Sequence, residues 1–167
     1  MALEIERKFL VDAEKLSEIH LTDGEKISQG YLSTDVEKIV RVRIKKNRGF
    51  LAVKTKNIGI VRREFEYEIP LADAEELLKL CGKNILSKIR YKIEFENHLW
   101  EVDIFEGRHA GLILAEVEIN SADEFVKIPS WVGEEVSADP KYYNVNLIFD
   151  EKTFPEKNFL THDKQKS

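Results

Sequence analysis

Apolar and polar residues alternate with a period of two through most of this chain. In residues 3–9, Glu4, Glu6 and Lys8 share one face and Leu3, Ile5 and Phe9 the other, with Arg7 as the exception. Residues 39–45 set Arg41, Arg43 and Lys45 against Val40, Val42 and Ile44, and residues 51–56 set Lys54 and Lys56 against Leu51 and Val53. Residues 61–69 oppose Arg62, Glu64, Glu66 and Glu68 to Phe65, Tyr67 and Ile69. The same alternation runs through residues 85–96, 100–105 and 112–119, and residues 28–33 form a weaker candidate. Alternation of this kind marks strands with two chemically different faces. Eight strands follow, joined mostly by short turns such as Lys46-Asn47-Arg48-Gly49 and Glu96-Asn97-His98. Such spacing favours an antiparallel sheet or barrel.

Helices are few. Asp73 is expected to cap a helix carrying Ala74, Leu77, Leu78 and Cys81 on one stripe, with Gly82 ending it. Asp12 is expected to cap a short helix with Leu16 and Ile19 inward, and Ser121 one over residues 122–127. Asp139 followed by Pro140 reads as a further start, running towards Phe149. Residues 1–150 are read as one domain and residues 151–167 as a polar C-terminal tail.

Two placements of the charged face are open: solvated, with the apolar face on helices, or lining the lumen of a closed barrel. Like charges recur along single strands: Glu4 with Glu6, Arg41 with Arg43, Lys88 with Arg90, Glu116 with Glu118. Each pair is separated by about 7 Å. Repulsion at that distance is about 0.6 kcal/mol in water and about 2.4 kcal/mol at an effective dielectric of 20. A solvated face gains nothing from such sorting, whereas a lumen holding a polyanion and a divalent cation does.

Composition narrows the classes. The 167 residues are long enough to bury a core, and 43% hydrophobic content argues against disorder. Lysine and arginine number 26 and aspartate and glutamate 31, for a net charge of −5, which disfavours nucleic acid as a partner. No apolar run approaches the length of a membrane span, and charge from residue 4 onward does not read as a signal peptide. With a single cysteine, Cys81, on an apolar stripe, a cytoplasmic protein is expected. The four histidines, His20, His98, His109 and His162, fall in turn-like or terminal contexts and are expected at the surface.

Glu4, Glu6, Asp103, Glu116 and Glu118 offer only hard oxygen donors, which suit Mg2+ or Mn2+ better than zinc. Lys8, Arg41, Arg43, Lys54, Lys88 and Arg90 exceed what one phosphate needs and suit a chain of phosphates. There is no P-loop motif and no Ser-His-Asp set.

Several motifs recur in order: Glu4-Ile5-Glu6-Arg7-Lys8, Gln29-Gly30-Tyr31-Leu32, Arg41-Val42-Arg43, Val53-Lys54-Thr55-Lys56 and Arg62-Arg63-Glu64-Phe65-Glu66. Lys88-Ile89-Arg90-Tyr91, Glu101-Val102-Asp103, Ala115-Glu116-Val117-Glu118 and Trp131-Val132-Gly133-Glu134-Glu135 complete the series. The series resembles the CYTH family, the triphosphate tunnel metalloenzymes, in its short single-domain bacterial form. The resemblance implies a mainly β (α+β) fold, a closed eight-stranded antiparallel β-barrel or tunnel, with a few short helices outside it and at one end. It implies hydrolysis of a triphosphate, most often inorganic tripolyphosphate, with Mg2+ or Mn2+.

By motif position, Glu4, Glu6, Asp103, Glu116 and Glu118 match metal-site carboxylates. Lys8, Arg41, Arg43, Lys54, Lys88 and Arg90 match triphosphate-binding cations. Glu64 and Glu66 match further catalytic carboxylates that position metal or water, and Lys8 with Tyr31 matches a pair proposed to activate the nucleophile. Lys45, Lys56, Arg62, Glu68 and Lys92 continue the charged face towards the tunnel mouths. The expected partner is a small-molecule triphosphate, with a homodimer admitted and neither nucleic acid nor membrane expected. The alternatives are a thiamine-triphosphate or nucleoside-triphosphate hydrolase, a class IV-type adenylate cyclase, and a non-catalytic polyphosphate- or nucleotide-binding module.

Overall fold

A computed structural model of the chain describes residues 2–149. The expected polar tail and His162 lie outside the described residues. The strands are β1 (Ala2–Val11), β2 (Glu25–Ser33), β3 (Lys38–Lys45), β4 (Arg48–Thr55), β5 (Val61–Ile69), β6 (Ile85–Phe95), β7 (His98–Phe105), β8 (Ile113–Glu118) and β9 (Val132–Glu135). The helices are α1 (Ala13–Ser17), α2 (Leu71–Leu80) and α3 (Asn144–Leu147).

Eight strands close into an antiparallel barrel in the order β5-β4-β3-β2-β6-β7-β8-β1, with β1 returning to β5. β1 closes the ring by dividing its length. Residues 2–5 pair with β5, and residues 6–10 pair with β8 on the other side. The upper part of β1 also takes β9, a strand the alternation did not reveal. Arg7, the exception to the pattern, points outward and donates to both carboxylate oxygens of Glu135 on β9, at 2.8 and 2.7 Å.

The two tightest hairpins match the turns expected from sequence. Lys46 and Asn47 have φ of 48° and 59°, and Glu96 and Asn97 have 47° and 67°. Positive φ at both central residues matches the twist of the flanking strands.

The apolar strand faces point outward and are covered. Phe9, Trp100, Val102, Ile113, Ala115 and Val117 pack under α1 and the segment carrying Val126 and Trp131. The Trp100 ring lies 5.4 Å from Phe9 and 5.8 Å from Trp131, centroid to centroid. On the opposite wall, α2 lays Ala74 and Cys81 against Val42.

The lumen face changes character at one end. Leu10 follows Lys8, Leu86 precedes Lys88, Phe105 follows Asp103 and Leu114 precedes Glu116, each two residues along its strand and on the same face. These apolar side chains join Tyr142, Val145, Leu147 and Ile148 in one buried cluster. The stretch around α3 thus floors the barrel with apolar contacts, leaving the charged part above it.

The helix expectations need correction at several points. Asp12 caps α1 as expected, but Ile19 lies past its end and is exposed. Asp73 sits in the first turn of α2 rather than at its cap, which Pro70 occupies. No helix forms after Ser121: its hydroxyl donates to Asp123 and the Glu124 carboxylate folds back on the Asn120 N–H, so local side-chain bonds win over helix. Asp139 caps only one turn of 3-10 helix, because Tyr143 is extended (φ −70°, ψ 130°) before α3 begins. His109 is buried, not at the surface, with its ring against Phe105 and the Leu147 carbonyl. Among the described residues no helix is long and apolar enough to cross a membrane.

Candidate active site

Strand parity turns the charged side chains inward, around a cavity of about 520 Å³. Of the candidate residues, Glu4, Glu6, Lys8, Tyr31, Arg41, Arg43, Lys54, Glu64, Glu66, Arg90, Glu116 and Glu118 line it. Lys88 and Asp103 do not: they lie fully buried beneath the wall.

One group of ion pairs spans β1, β3, β4 and β5. Lys54 reaches both oxygens of Glu4 at 3.2 Å and Glu64 at 3.4 Å. Arg62 donates its Nε to Glu4 at 2.7 Å. Burial would raise the Glu4 carboxyl, but Lys54 and Arg62 bring it down to about 2. Burial pushes Lys54 down to about 8, and Arg41 adds to the effect. Arg41 reaches Glu64 at 3.3 Å and Glu66 at 3.0 Å, while its Nε is buried without a hydrogen-bond partner. An orphaned guanidinium N–H in a cavity wall is a donor awaiting an acceptor.

A second group spans β1, β6, β7 and β8. Arg90 grips Asp103 through two bonds of 2.7 Å, reaches Glu116 at 3.0 Å and pairs with Glu101. Lys88 donates to Asp103 Oδ2 at 2.6 Å, an oxygen it shares with Arg90, and burial pushes its ammonium down to about 8. Lys8 meets Glu116 at 3.1 Å and donates to the Tyr142 carbonyl at 3.2 Å. Burial works against the charge on Lys8, but Glu116 and Glu6 outweigh it and raise its pKa.

The remaining carboxylates face one another. Glu6 stands opposite Glu118 across the β1–β8 pair. Burial, then Glu116 and Glu4, push Glu6 up to about 8. Burial and the neighbouring Glu4, Glu101 and Glu64 also raise Glu118. Among the described residues no three carboxylate, histidine or cysteine side chains are already gathered as a cage. Nonetheless Glu4, Glu6, Glu116 and Glu118 fit a hard divalent cation. Their donors are all oxygen, and burial with neighbouring carboxylates disfavours the ionised forms of Glu6 and Glu118, which a divalent cation would favour.

Sequence reasoning undervalued three residues. Arg62 lies in phase with Glu64 and Glu66, so parity already placed it on this face. Glu101 is in phase with Asp103 for the same reason. Gln29, fully buried, accepts from Arg43 and donates to Tyr31, and a count of charges passes over it. Of the other residues continuing the charged face, Lys45 and Lys56 line the cavity, Glu68 pairs with Arg48 and Lys92 is exposed.

Comparison with known proteins agrees with this geometry. A family model described as the CYTH domain matches residues 2–146. An inorganic triphosphatase of Acetivibrio thermocellus is 44% identical over 160 residues, covering 95% of this chain and 99% of the relative. An inorganic triphosphatase of Nitrosomonas europaea is 36% identical over 149 residues, covering 86% and 95%. The crystal structure of the inorganic triphosphatase NE1496 superposes with a TM-score of 0.63 at 32% identity, covering 90% of this chain and 97% of that one.

Proposed function

The chain belongs to the CYTH domain family, and from that premise we propose that it hydrolyses the terminal phosphoanhydride bond of a triphosphate, inorganic tripolyphosphate foremost, inside its barrel. One observation carries the reading. A single cavity presents Arg41, Arg43, Lys54 and Arg90 beside the facing carboxylate pair, Glu6 and Glu118. The first set suits a linear polyanion and the second its metal.

Glu4, Glu6, Glu116 and Glu118 would hold a divalent ion, Mg2+ or Mn2+. Such an ion supplies charge neutralisation at phosphate oxygens and a more acidic water. The chain supplies the rest. Arg41, Arg43, Lys54 and Arg90 bind the phosphate oxygens and stabilise the charge that builds on the leaving diphosphate as the bridging P–O bond breaks. Asp103, with both oxygens taken by cations, fixes Lys88 and Arg90 in place. Lys8, its ammonium sustained by Glu116 and Glu6, acts as a charge donor to substrate. Tyr31, whose hydroxyl burial pushes up, stays protonated and donates a hydrogen bond. Glu64 and Glu66, beside Arg41, orient the attacking water.

The test is release of phosphate and diphosphate from tripolyphosphate, ATP and thiamine triphosphate, with magnesium and manganese in parallel and cyclic AMP followed in the ATP sample. Tripolyphosphate should turn over fastest with one of the two metals. No phosphate release from tripolyphosphate with either would overturn the reading.

A further inference from the structure

Every candidate phosphate-binding cation except Arg43 has a carboxylate partner. Lys8 has Glu116, Arg41 has Glu64 and Glu66, Lys54 has Glu4, Lys88 has Asp103, and Arg90 has Asp103 and Glu116. Arg43 is buried and forms no ion pair among the described residues. Its Nε and Nη2 donate instead to one neutral oxygen, Gln29 Oε1, at 3.1 and 2.9 Å. The two residues face each other across β2 and β3.

The chemistry of arginine fixes the amide orientation. A guanidinium has no acceptor, so the oxygen of Gln29 must face it and the NH2 must face away. That NH2 donates to the Tyr31 hydroxyl at 2.9 Å, two residues along the same strand. Tyr31 therefore accepts on that side and keeps its hydrogen for another acceptor. Tyr31 lines the cavity.

We propose that Gln29 is a positioning residue that locks Arg43 without neutralising it and turns the Tyr31 hydroxyl hydrogen into the cavity. It gives the tunnel one pre-formed, uncompensated cation for the phosphate chain. Arg41, Lys54 and Arg90 must share their charge between substrate and a resident carboxylate, and Arg43 does not. A glutamate at position 29 would keep the same two bonds to Arg43 and remove this distinction. This inference rests on the triphosphatase reading.

The experiment compares wild type, Gln29→Glu and the near-isosteric neutral Gln29→Met, with Tyr31→Phe as the control for the hydroxyl. Steady-state kinetics on tripolyphosphate, calorimetric binding of tripolyphosphate, and thermal unfolding are measured on each. Wild-type turnover reports on the triphosphatase reading, and the binding comparison reports on Gln29. Gln29→Glu should melt no lower than wild type, yet raise KM and Kd at least tenfold, with kcat changed less than threefold. Gln29→Met should raise them less than Gln29→Glu. Tyr31→Phe should not reproduce the Gln29→Glu loss in binding. KM within twofold of wild type in a folded Gln29→Glu protein would overturn the proposal. So would a larger binding loss in Gln29→Met than in Gln29→Glu, since bond geometry alone would then matter. Should Gln29→Glu fail to fold, Gln29→Met binding at wild-type strength overturns the positioning role.

Discussion

Lys88 Nζ lies 2.6 Å from Asp103 Oδ2, and neither side chain exposes any surface. Removing Asp103 leaves the Lys88 ammonium without a carboxylate in the barrel wall, a change that costs about 3–5 kcal/mol. Asp103→Ala should lower stability by that order in urea or thermal unfolding. Combining it with Lys88→Met should recover part of the loss. A double variant as unstable as the sum of the singles would show that Asp103 and Lys88 are energetically independent.

Glu118 stands opposite Glu6. EDTA should abolish phosphate release, and added Mg2+ or Mn2+ should restore it. Glu118→Gln should lower turnover by about a hundredfold or more, in the range of an electrostatic catalytic group. Phosphate release near the wild-type rate by that variant would remove Glu118 from the metal set.

Arg7 holds the Glu135 carboxyl below its ordinary value of 4.5 through two hydrogen bonds. A carboxyl with a depressed folded pKa adds stability that is complete above the unfolded value and lost as pH falls through the folded one. The melting temperature of wild type should therefore exceed that of Glu135→Gln at neutral pH, and the difference should shrink as pH falls below 4.5. Parallel curves across that range would mean that Arg7 does not hold the Glu135 carboxyl below its ordinary value.

Gly30 lies where the C-terminal end of α2 presses against β2. A Cβ at this position would meet Cys81 Sγ at 2.6 Å and Cys81 Cβ at 2.8 Å. Gly30→Ala should cost about 1–3 kcal/mol, the usual penalty of overpacking. Pairing it with Cys81→Gly should relieve most of that cost. If Gly30→Ala melts like wild type, the helix moves away without resistance.

The barrel was largely legible because its two faces differ so sharply. Where charge and hydrophobe alternate, as in β1, β3, β5 and β6, strand identity and the residues sharing a face followed from parity, and the sorting of like charges by strand turned that face inward. β9 escaped because Val132-Gly133-Glu134-Glu135 has no alternation and pairs only with the outer part of β1. His109 escaped because its partner carbonyl, Leu147, lies 38 residues away. Gln29 escaped for a chemical reason. Charge-counting finds ions, and this residue acts by being neutral. The residues sharing the charged face could be listed from sequence, but not their partition: only the closed barrel withdraws Lys88 and Asp103 behind the cavity wall.

β1 sets the order in which the barrel can assemble. It carries Glu4, Glu6 and Lys8, yet its partners lie far along the chain: Glu6 meets Glu118, and Phe9 meets Glu135. On a ribosome adding about 5–20 residues per second, this strand waits on the order of ten seconds before β8 exists. Its pairings have very high sequence separation, which places closure in the slow regime of roughly milliseconds to seconds even for the finished chain. The cavity thus comes into being only with the last ring contacts. The β2–β7 part of the sheet can form beforehand, but without β1 it lacks Glu4, the carboxylate that Arg62 bonds and that shares Lys54 with Glu64.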